Sequence, residues 1–391
     1  MSTGRAADRF ALIANPGSAR ALGFAAACHS HGFPEPVLVP WEEVLSPGFD
    51  PRKRLAGATA LRLETPAGHP QVERLILARG ARPPLAHHHY HEPHRTYLSP
   101  EECLALPDDA GELRCQHQWY HGFHGIQEEI SAWTRELGLR VMNDPADIAK
   151  LFDKLQTREI LEASDVPLAP GAWHCMGFEH LRVKMDAYRW DRVFLKPRHG
   201  SSAAGVMAIS RTSGNRWQAV TSARLEISGG VQRIWNSKRP LRLSSLDDIR
   251  ATVNAVCQQN ATLERWFPKA TLDGRPFDLR IVVIAGQAAH IAVRTSSSPI
   301  TNLHLRNQRG DLQQVIAKLG PTAWAQALAT AEAAAACFPS CHYCGVDLMI
   351  GARSHRSVVA EVNAFGDHLH REQWQDMDPW EAELALWASA G

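Results

Sequence analysis

Gly345-Val346-Asp347-Leu348-Met349-Ile350 and Val358-Val359-Ala360-Glu361-Val362-Asn363-Ala364-Phe365-Gly366 are two short apolar runs with side-chain oxygens where buried strands ordinarily carry none. A carboxylate inside an apolar strand is costly unless a cation or a hydrogen-bond donor satisfies it. Paired as a hairpin, the two runs bring Asp347, Glu361 and Asn363 together. Glu361 and Asn363 are two positions apart and so share one face of their strand. Hard oxygen ligands of this kind suit magnesium held jointly with substrate phosphates. The hairpin therefore directs the search upstream, toward a nucleotide site.

The chain has 391 residues, enough for two or three domains with substantial cores. Hydrophobic residues make up 45% and charged residues 21%, the balance of an ordinary globular protein. A net charge of +1 gives no global reason to expect nucleic acid or an acidic membrane surface as partner. Residues 1–10 lack the apolar core of a signal peptide, and no run is long and apolar enough to span a bilayer. Eight cysteines scattered over this length are not a secreted disulfide framework, so a reduced, cytoplasmic enzyme is expected.

Arg9 to Ala14 reads as a strand, Ala19 to Cys28 as an Ala-rich helix and Val37 to Val39 as a second strand. That alternation predicts an N-terminal α/β domain with a parallel sheet. Further helices are expected over Ile126–Leu137, Ala146–Ala163, Leu246–Cys257 and Pro321–Cys337. Asn143-Asp144-Pro145 is the start signal of the second of these. Arg192 to Pro197 reads as a strand running into the small-residue loop His199 to Gly205, with Val206 to Ile209 returning. Residues 213–245 are polar and read as an irregular hairpin. Leu279–Ile284 and Ala288–Val293 read as strands.

Several residue types then carry chemistry. Lys196 ends a buried-looking strand just before the small-residue loop, where backbone N–H groups are available to phosphate oxygens. Lys154 lies on the helix after the Asn-Asp-Pro turn. Taken singly, each lysine reads more readily as a solvated or strand-end charge. Leu263-Glu264-Arg265-Trp266-Phe267 is an apolar strand becoming a charged connector, a form suited to holding an adenine edge by backbone groups. Asp278 offers a carboxylate to ribose hydroxyls. Arg280 and Arg294 come from neighbouring strands and suit a transferring phosphoryl group.

The order of these motifs, with Thr301-Asn302-Leu303 and the closing hairpin, resembles the ATP-grasp superfamily. The similarity is greatest to the branch with glutathione synthetase and the ribosomal-protein glutamate ligase, and it covers roughly residues 140 to 366. It implies an N-terminal α/β domain (1–140) before a two-lobed α+β ATP-grasp module (141–391). The small lobe would be about 170–262; the large lobe, 263–391, would include the 141–169 helix. It implies that Lys154 and Lys196 bind ATP phosphates, with Ser201, Ser202 and Gly205 in the loop that covers them. Glu264, Arg265 and Trp266 become the adenine hinge and Asp278 the ribose residue. Arg280 and Arg294 steady an acyl phosphate, Asn302 lines the acceptor side, and Asp347, Glu361 and Asn363 hold two magnesium ions. The implied reaction is ATP- and magnesium-dependent ligation of a carboxylate to an amine, on small molecules or peptides, in a possible homodimer. Two departures stand out. Arg306-Asn307 replaces a common Gly-Gly pair, and Ala203-Ala204 occupies the covering loop.

Competing signals are present. The Arg306-Asn307 departure allows a nucleotide-binding partner without turnover. Cys337, Cys341 and Cys344, with Tyr343, have the spacing of an iron–sulfur ligand set, and His342 adds a zinc variant. Against this, free cysteine is a frequent core residue. His87, His88, His89, His91 and His94 read as loop or pocket wall rather than as metal ligands. His117, His121 and His124 have helical spacing, and Trp374, Trp380 and Trp387 are expected to pack a final helix on the core.

Overall fold

The computed structural model describes residues 7–81, 97–108, 111–200, 202–305, 307–366, 369 and 372–389. The chain opens as a parallel sheet with strand order β2-β1-β3-β4, from β1 (Phe10–Ala14), β2 (Val37–Pro40), β3 (Ala60–Leu63) and β4 (Arg140–Val141). Every residue of β1 is buried, as expected of a strand covered on both faces. The covering helices are α1 (Ala19–Ser30), α2 (Trp41–Val44), α3 (Pro51–Arg54), α4 (Pro70–Arg79), α5 (Pro100–Leu104) and α6 (Gln116–Leu137).

Helix α6 begins ten residues before the expected start at Ile126. Its first half, Trp119-Tyr120-His121-Gly122-Phe123, has glycine and histidine where a helix former is usual. Tertiary contact explains the glycine. A Cβ on Gly122 would lie 1.9 Å from the carbonyl oxygen of Ile76, so α4 and α6 cross backbone to backbone there.

The single helix expected over 146–163 is two, α7 (Pro145–Leu151) and α8 (Lys154–Ala163). Asp153 makes the break. Its carboxylate accepts from the backbone N–H groups of Leu155 and Gln156 at 3.0 and 3.3 Å, capping α8. Lys154 is thereby placed at the first position of a helix rather than in mid-helix.

A second, fully antiparallel sheet has the order β5-β10-β6-β7-β8-β9. Its strands are β5 (Gly171–Cys175), β6 (Arg192–Pro197), β7 (Met207–Arg211), β8 (Trp217–Ser228), β9 (Val231–Leu243) and β10 (Ala261–Arg265). Helices α9 (Phe178–Ala187) and α10 (Leu246–Cys257) share with it a core of their own around Leu181, Met185, Val193, Ile209 and Val253. The stretch expected to be an irregular hairpin is a long one, with strands of 12 and 13 residues, a register shift between Thr221 and Ala223 and a turn at Gly229-Gly230. Its outer half is exposed on both sides, so the sequence there shows no alternation.

The third sheet runs β14-β13-β12-β15-β16, with β11 (Thr271–Leu272) added on β12. Its members are β12 (Arg275–Ile284), β13 (Gln287–Thr295), β14 (Gln308–Gly310), β15 (Tyr343–Ile350) and β16 (Ser357–Asn363). Helix α11 (Leu312–Ala336) packs on it and starts earlier than expected; Gly320, at φ 72°, kinks it just before Pro321. The final helix, α12 (Pro379–Ser389), buries Trp380 and Trp387 against the core, as the tryptophan pattern predicts. Hairpin register places Asp347 opposite Glu361, Gly345 opposite Asn363, and Arg280 opposite Asp347.

Candidate nucleotide and metal site

The cavity between the two antiparallel sheets is lined by side chains from both. Strands β15 and β16 supply Asp347 and Glu361, β12 and β13 supply Asp278 and Arg294, and the opposite wall supplies Lys196, Glu264 and Arg265. Lys154 and Asn302 also face it. Distant residues singled out in the sequence therefore do converge on one space.

Lys154 reaches down from the start of α8. Its Nζ is 3.1 Å from the Glu361 carboxylate and also donates to the Gly200 carbonyl in the small-residue loop. Its backbone N–H donates to the Arg198 carbonyl at 3.2 Å. Arg198 in turn grips Asp153 with two donors, Nε at 2.6 Å and Nη2 at 2.5 Å. Burial alone would raise the Asp153 carboxyl, but this fork and the backbone donors hold it below the usual range. His199 stacks on Tyr120 of α6 at 4.0 Å, 12° from parallel. Burial keeps the His199 imidazole well below its ordinary pKa and therefore neutral.

Lys196, on β6, pairs across to Glu264 on β10 at 2.7 Å. The expected phosphate lysine and the expected hinge glutamate are thus direct partners. Phe267, not Trp266, presents an aromatic to the cavity. Trp266 packs instead on Phe194, at 5.3 Å between ring centres, as alternation along an extended chain requires. In the covering loop Gly200, Ala203 and Ala204 face the cavity, while Ser202 and Gly205 do not line it. A Cβ on Gly205 would lie 2.8 Å from Pro197, and its φ is 71°. Ser202 and Ala203 also adopt positive φ, 54° and 56°, in place of the more permissive glycine. Ser201, Arg306 and the histidines from His87 to His94 lie outside the described residues.

At the acidic end, Asp347 sits between two guanidinium groups. Arg280 donates to it from Nε at 2.5 Å and Nη2 at 3.2 Å, and Arg294 Nη2 lies at 3.0 Å. Burial would raise the Asp347 carboxyl, but the two arginines outweigh it and hold it low. Arg280 lies behind Asp347 and does not line the cavity, whereas Arg294 does. Asn363 donates from Nδ2 to the Gly345 carbonyl at 3.3 Å, a contact that leaves Oδ1 as its acceptor. Asp347 and Glu361 line the cavity and Asn363 does not; two carboxylates with an amide fit magnesium in their donor chemistry. Asn307, in the departure from Gly-Gly, donates to the carbonyls of Ile300 and Asn302 at 2.8 and 2.9 Å and so shapes the Asn302 loop.

Asp278 is 4% exposed and already accepts three donors: Arg294 Nε at 2.7 Å, Lys269 Nζ at 3.1 Å, and the Thr301 hydroxyl. Lys269 is the residue that sequence reasoning missed. It lies in the connector after β10, with no local pattern to mark it, and only the fold turns it into the cavity.

The cysteine alternative is corrected. Cys344 is 2% exposed within β15, and burial pushes its thiol up to about 12. Burial pushes Cys341 well up too. Among the described residues no group of three or more His, Cys, Asp or Glu side chains is placed to hold a metal ion.

Comparison with known proteins agrees with this fold. The sequence matches the YheC/D-like ATP-grasp family over residues 147–368 of the 391. Among solved structures, the chain is similar to D-cycloserine synthetase DcsG, with a TM-score of 0.52 and 14% identity over 97% of this chain and 99% of that one. It is similar to the ATP-grasp ligase PsnB, complexed with a phosphomimetic variant of its minimal precursor, Mg and ADP. There the TM-score is 0.54 and the identity 13%, over 98% of this chain and 99% of that one. A third is macrocyclase MdnC from Microcystis aeruginosa MRC, bound with precursor peptide MdnA, at a TM-score of 0.51 and 11% identity over 98% and 100% of the two chains. No curated protein matches the sequence. The superfamily resemblance read from the motifs is thus borne out, and the chain belongs to the YheC/D-like ATP-grasp family.

Proposed function

We propose that this protein is an ATP- and magnesium-dependent carboxylate–amine ligase acting in the cytoplasm. Residues 1–140 would form the N-terminal unit and residues 141–391 the grasp module. The observation that carries the reading is the convergence of Lys154, Glu361, Asp347 and Arg294 on one cavity between two antiparallel sheets. A triphosphate entering there would take over cations that the carboxylates now neutralise.

A carboxylate is a poor electrophile, and phosphorylation corrects that. A substrate carboxylate oxygen attacks the γ-phosphorus, and ADP leaves. The amine then attacks the acyl carbon, phosphate leaves, and the amine gives up one proton. Lys154 would hold phosphate oxygens, and Lys196 would link phosphate to hinge. Glu264 and Arg265 would border the adenine. Arg294 would face the charge that builds on the phosphoryl oxygens, with Arg280 supporting Asp347 from behind. Asn302 would line the acceptor side. Asp347, Glu361 and Asn363 would hold two magnesium ions, which supply Lewis-acid stabilisation of phosphoryl charge. Gly200, Ala203 and Ala204 would close over the phosphates and exclude water, with Ser201, Ser202 and Gly205 completing the loop. Solved structures of the same fold include a D-cycloserine synthetase and enzymes bound with precursor peptides, which supports a small-molecule or peptide substrate.

The test is ADP release from the full chain with ATP and magnesium against a panel of amino acids, hydroxamates and peptides paired with amines. ADP formed only when both a carboxylate and an amine are present supports the ligase. ATP binding with no ADP from any pair points instead to a nucleotide-binding partner. ATP binding that ignores magnesium removes the metal assignment.

A further inference from the structure

His199 stands where the chain leaves β6 for the small-residue loop. It is 9% exposed, and Gly200, next in the chain, faces the cavity. Its ring lies flat on Tyr120 of α6, 4.0 Å between centres and 12° from parallel, with Nδ1 3.4 Å from the Phe152 carbonyl. The residues on either side are pinned as firmly. Arg198 donates its backbone N–H to the Asn260 carbonyl at 2.7 Å, accepts from the Lys154 N–H at 3.2 Å, and grips Asp153. The Gly200 carbonyl accepts from Lys154 Nζ. Helix α6 meets the loop again one turn before Tyr120, where a Cβ on Gly200 would lie 3.4 Å from Gln116 Oε1.

What Lys154 needs decides what His199 does. Lys154 is the first residue of α8, and its ammonium sits at the end of a flexible four-carbon stem. Two acceptors hold it, Glu361 at 3.1 Å and the Gly200 carbonyl. The two are unlike. Glu361 is a carboxylate that would also hold magnesium, so in the loaded site its charge is shared with the metal. A backbone carbonyl is not drawn off in this way, but it is only as fixed as the chain that carries it. Gly200 has no side chain to anchor it, so its carbonyl takes its place from His199, and His199 takes its own from the Tyr120 ring. Burial keeps the imidazole neutral, so the contact is a stack of two flat rings rather than a charge on a ring.

We infer that Tyr120 is a positioning residue for Lys154: its ring seats His199, and through it the Gly200 carbonyl that aims the Lys154 ammonium into the cavity. A helix packed on the parallel sheet thereby aims a cation that serves the space between the two antiparallel sheets. The inference rests on the reading of that space as an ATP site with Lys154 on phosphate.

The experiment is calorimetric binding of ATP with magnesium, and of adenosine, to the full chain and to Tyr120→Leu, Tyr120→Phe, His199→Phe and Lys154→Met, with Tyr120→Leu made also in the Lys154→Met background. Tyr120→Leu is expected to weaken ATP by roughly tenfold, the range of one hydrogen bond to a charged group, and to leave adenosine, which has no phosphate, at the wild-type affinity. Tyr120→Phe and His199→Phe keep two stacked rings and should bind ATP within about twofold of the wild type. In the Lys154→Met background Tyr120→Leu should cost nothing further, because the cation it aims is gone. ATP and adenosine weakened alike would make Tyr120 a folding residue and overturn the inference. So would a full additional loss on top of Lys154→Met, unchanged ATP binding by Tyr120→Leu, or phenylalanine variants as weak as Tyr120→Leu. Thermal melting of each variant keeps misfolding separate, and His199→Ala carries the same expectations should Tyr120→Leu not fold. Full ATP affinity in Lys154→Met would remove Lys154 from the phosphates while leaving the cavity as a nucleotide site. Absence of ATP binding by the wild-type chain would instead remove the nucleotide site itself, and this inference with it.

Discussion

Arg294 and Asp347 are where single side chains decide most. Arg294 bridges two buried carboxylates, so its removal acts on both reaction and stability. Arg294→Ala is expected to slow turnover by roughly two to three orders of magnitude, comparable to losing one transition-state donor. It should also lower the melting temperature, because Asp278 and Asp347 lose a buried partner. Steady-state kinetics on protein verified as folded by circular dichroism check the first effect, with ATP affinity expected to change little. An equal loss in ATP binding would move Arg294 from the reaction to the nucleotide. Asp347→Asn keeps the shape and removes the charge. It should raise the magnesium concentration needed for half-maximal turnover, and a variant with an unchanged magnesium requirement would remove Asp347 from the metal set.

Among elements, the α4–α6 crossing and the α7–α8 break carry the sharpest consequences. Gly122 lets two helix backbones touch, so Gly122→Ala should destabilise by about 1–3 kcal/mol or more through forced separation. Denaturant midpoints measure it. The same substitution at Gly125, where an added Cβ meets nothing within 4 Å, should instead be neutral or mildly stabilising. Legibility follows the same physics. Elements whose periodicity faces one core, such as α10 and β15, could be read directly, and Asp347 and Glu361 stood out because charge in an apolar strand needs a reason. The first half of α6 could not be read, because its glycine answers to a neighbour 46 positions away in sequence, Gly122 against Ile76. The overhanging β8–β9 hairpin shows no alternation because neither face of its outer half is covered. Lys269 was silent for a related reason: its partners Asp278 and Thr301 come from other parts of the chain.

Across the whole molecule, one buried cation ties the first sheet to the last helix. Arg62, on β3, is 1% exposed and pairs with Glu64 at 2.8 Å and with Glu383 of α12 at 2.5 Å. Phe24 and Tyr343 stack over the guanidinium at 4.3 and 4.6 Å. Glu64 also meets Arg20 at 3.3 Å, and burial pushes Glu383 up to about 7 against the pull of Arg62. A carboxyl whose folded pKa is raised binds its proton more tightly in the folded state. Its contribution to stability is complete below the unfolded value near 4.5 and is lost as pH rises through about 7. Between those limits unfolding free energy should fall by up to about 3 kcal/mol. Glu383→Gln should flatten that slope, as denaturant titrations from pH 5 to pH 8 would reveal.

The seating of α12 reaches beyond stability at equilibrium. Trp380 rests on Gly23 of α1 so closely that an added Cβ would be 2.6 Å from its ring, and Trp387 packs on Phe10 and donates to Asp8 at 3.0 Å. On the ribosome, β1 and α1 must therefore wait, partly uncovered, until α12, made more than 300 residues later, emerges. Residues 1–140 made alone should be aggregation-prone and lack a cooperative melt, and co-expression with the remainder of the chain should rescue them into a soluble complex. If the isolated segment melts cooperatively at a temperature near that of the full chain, the waiting period does not exist.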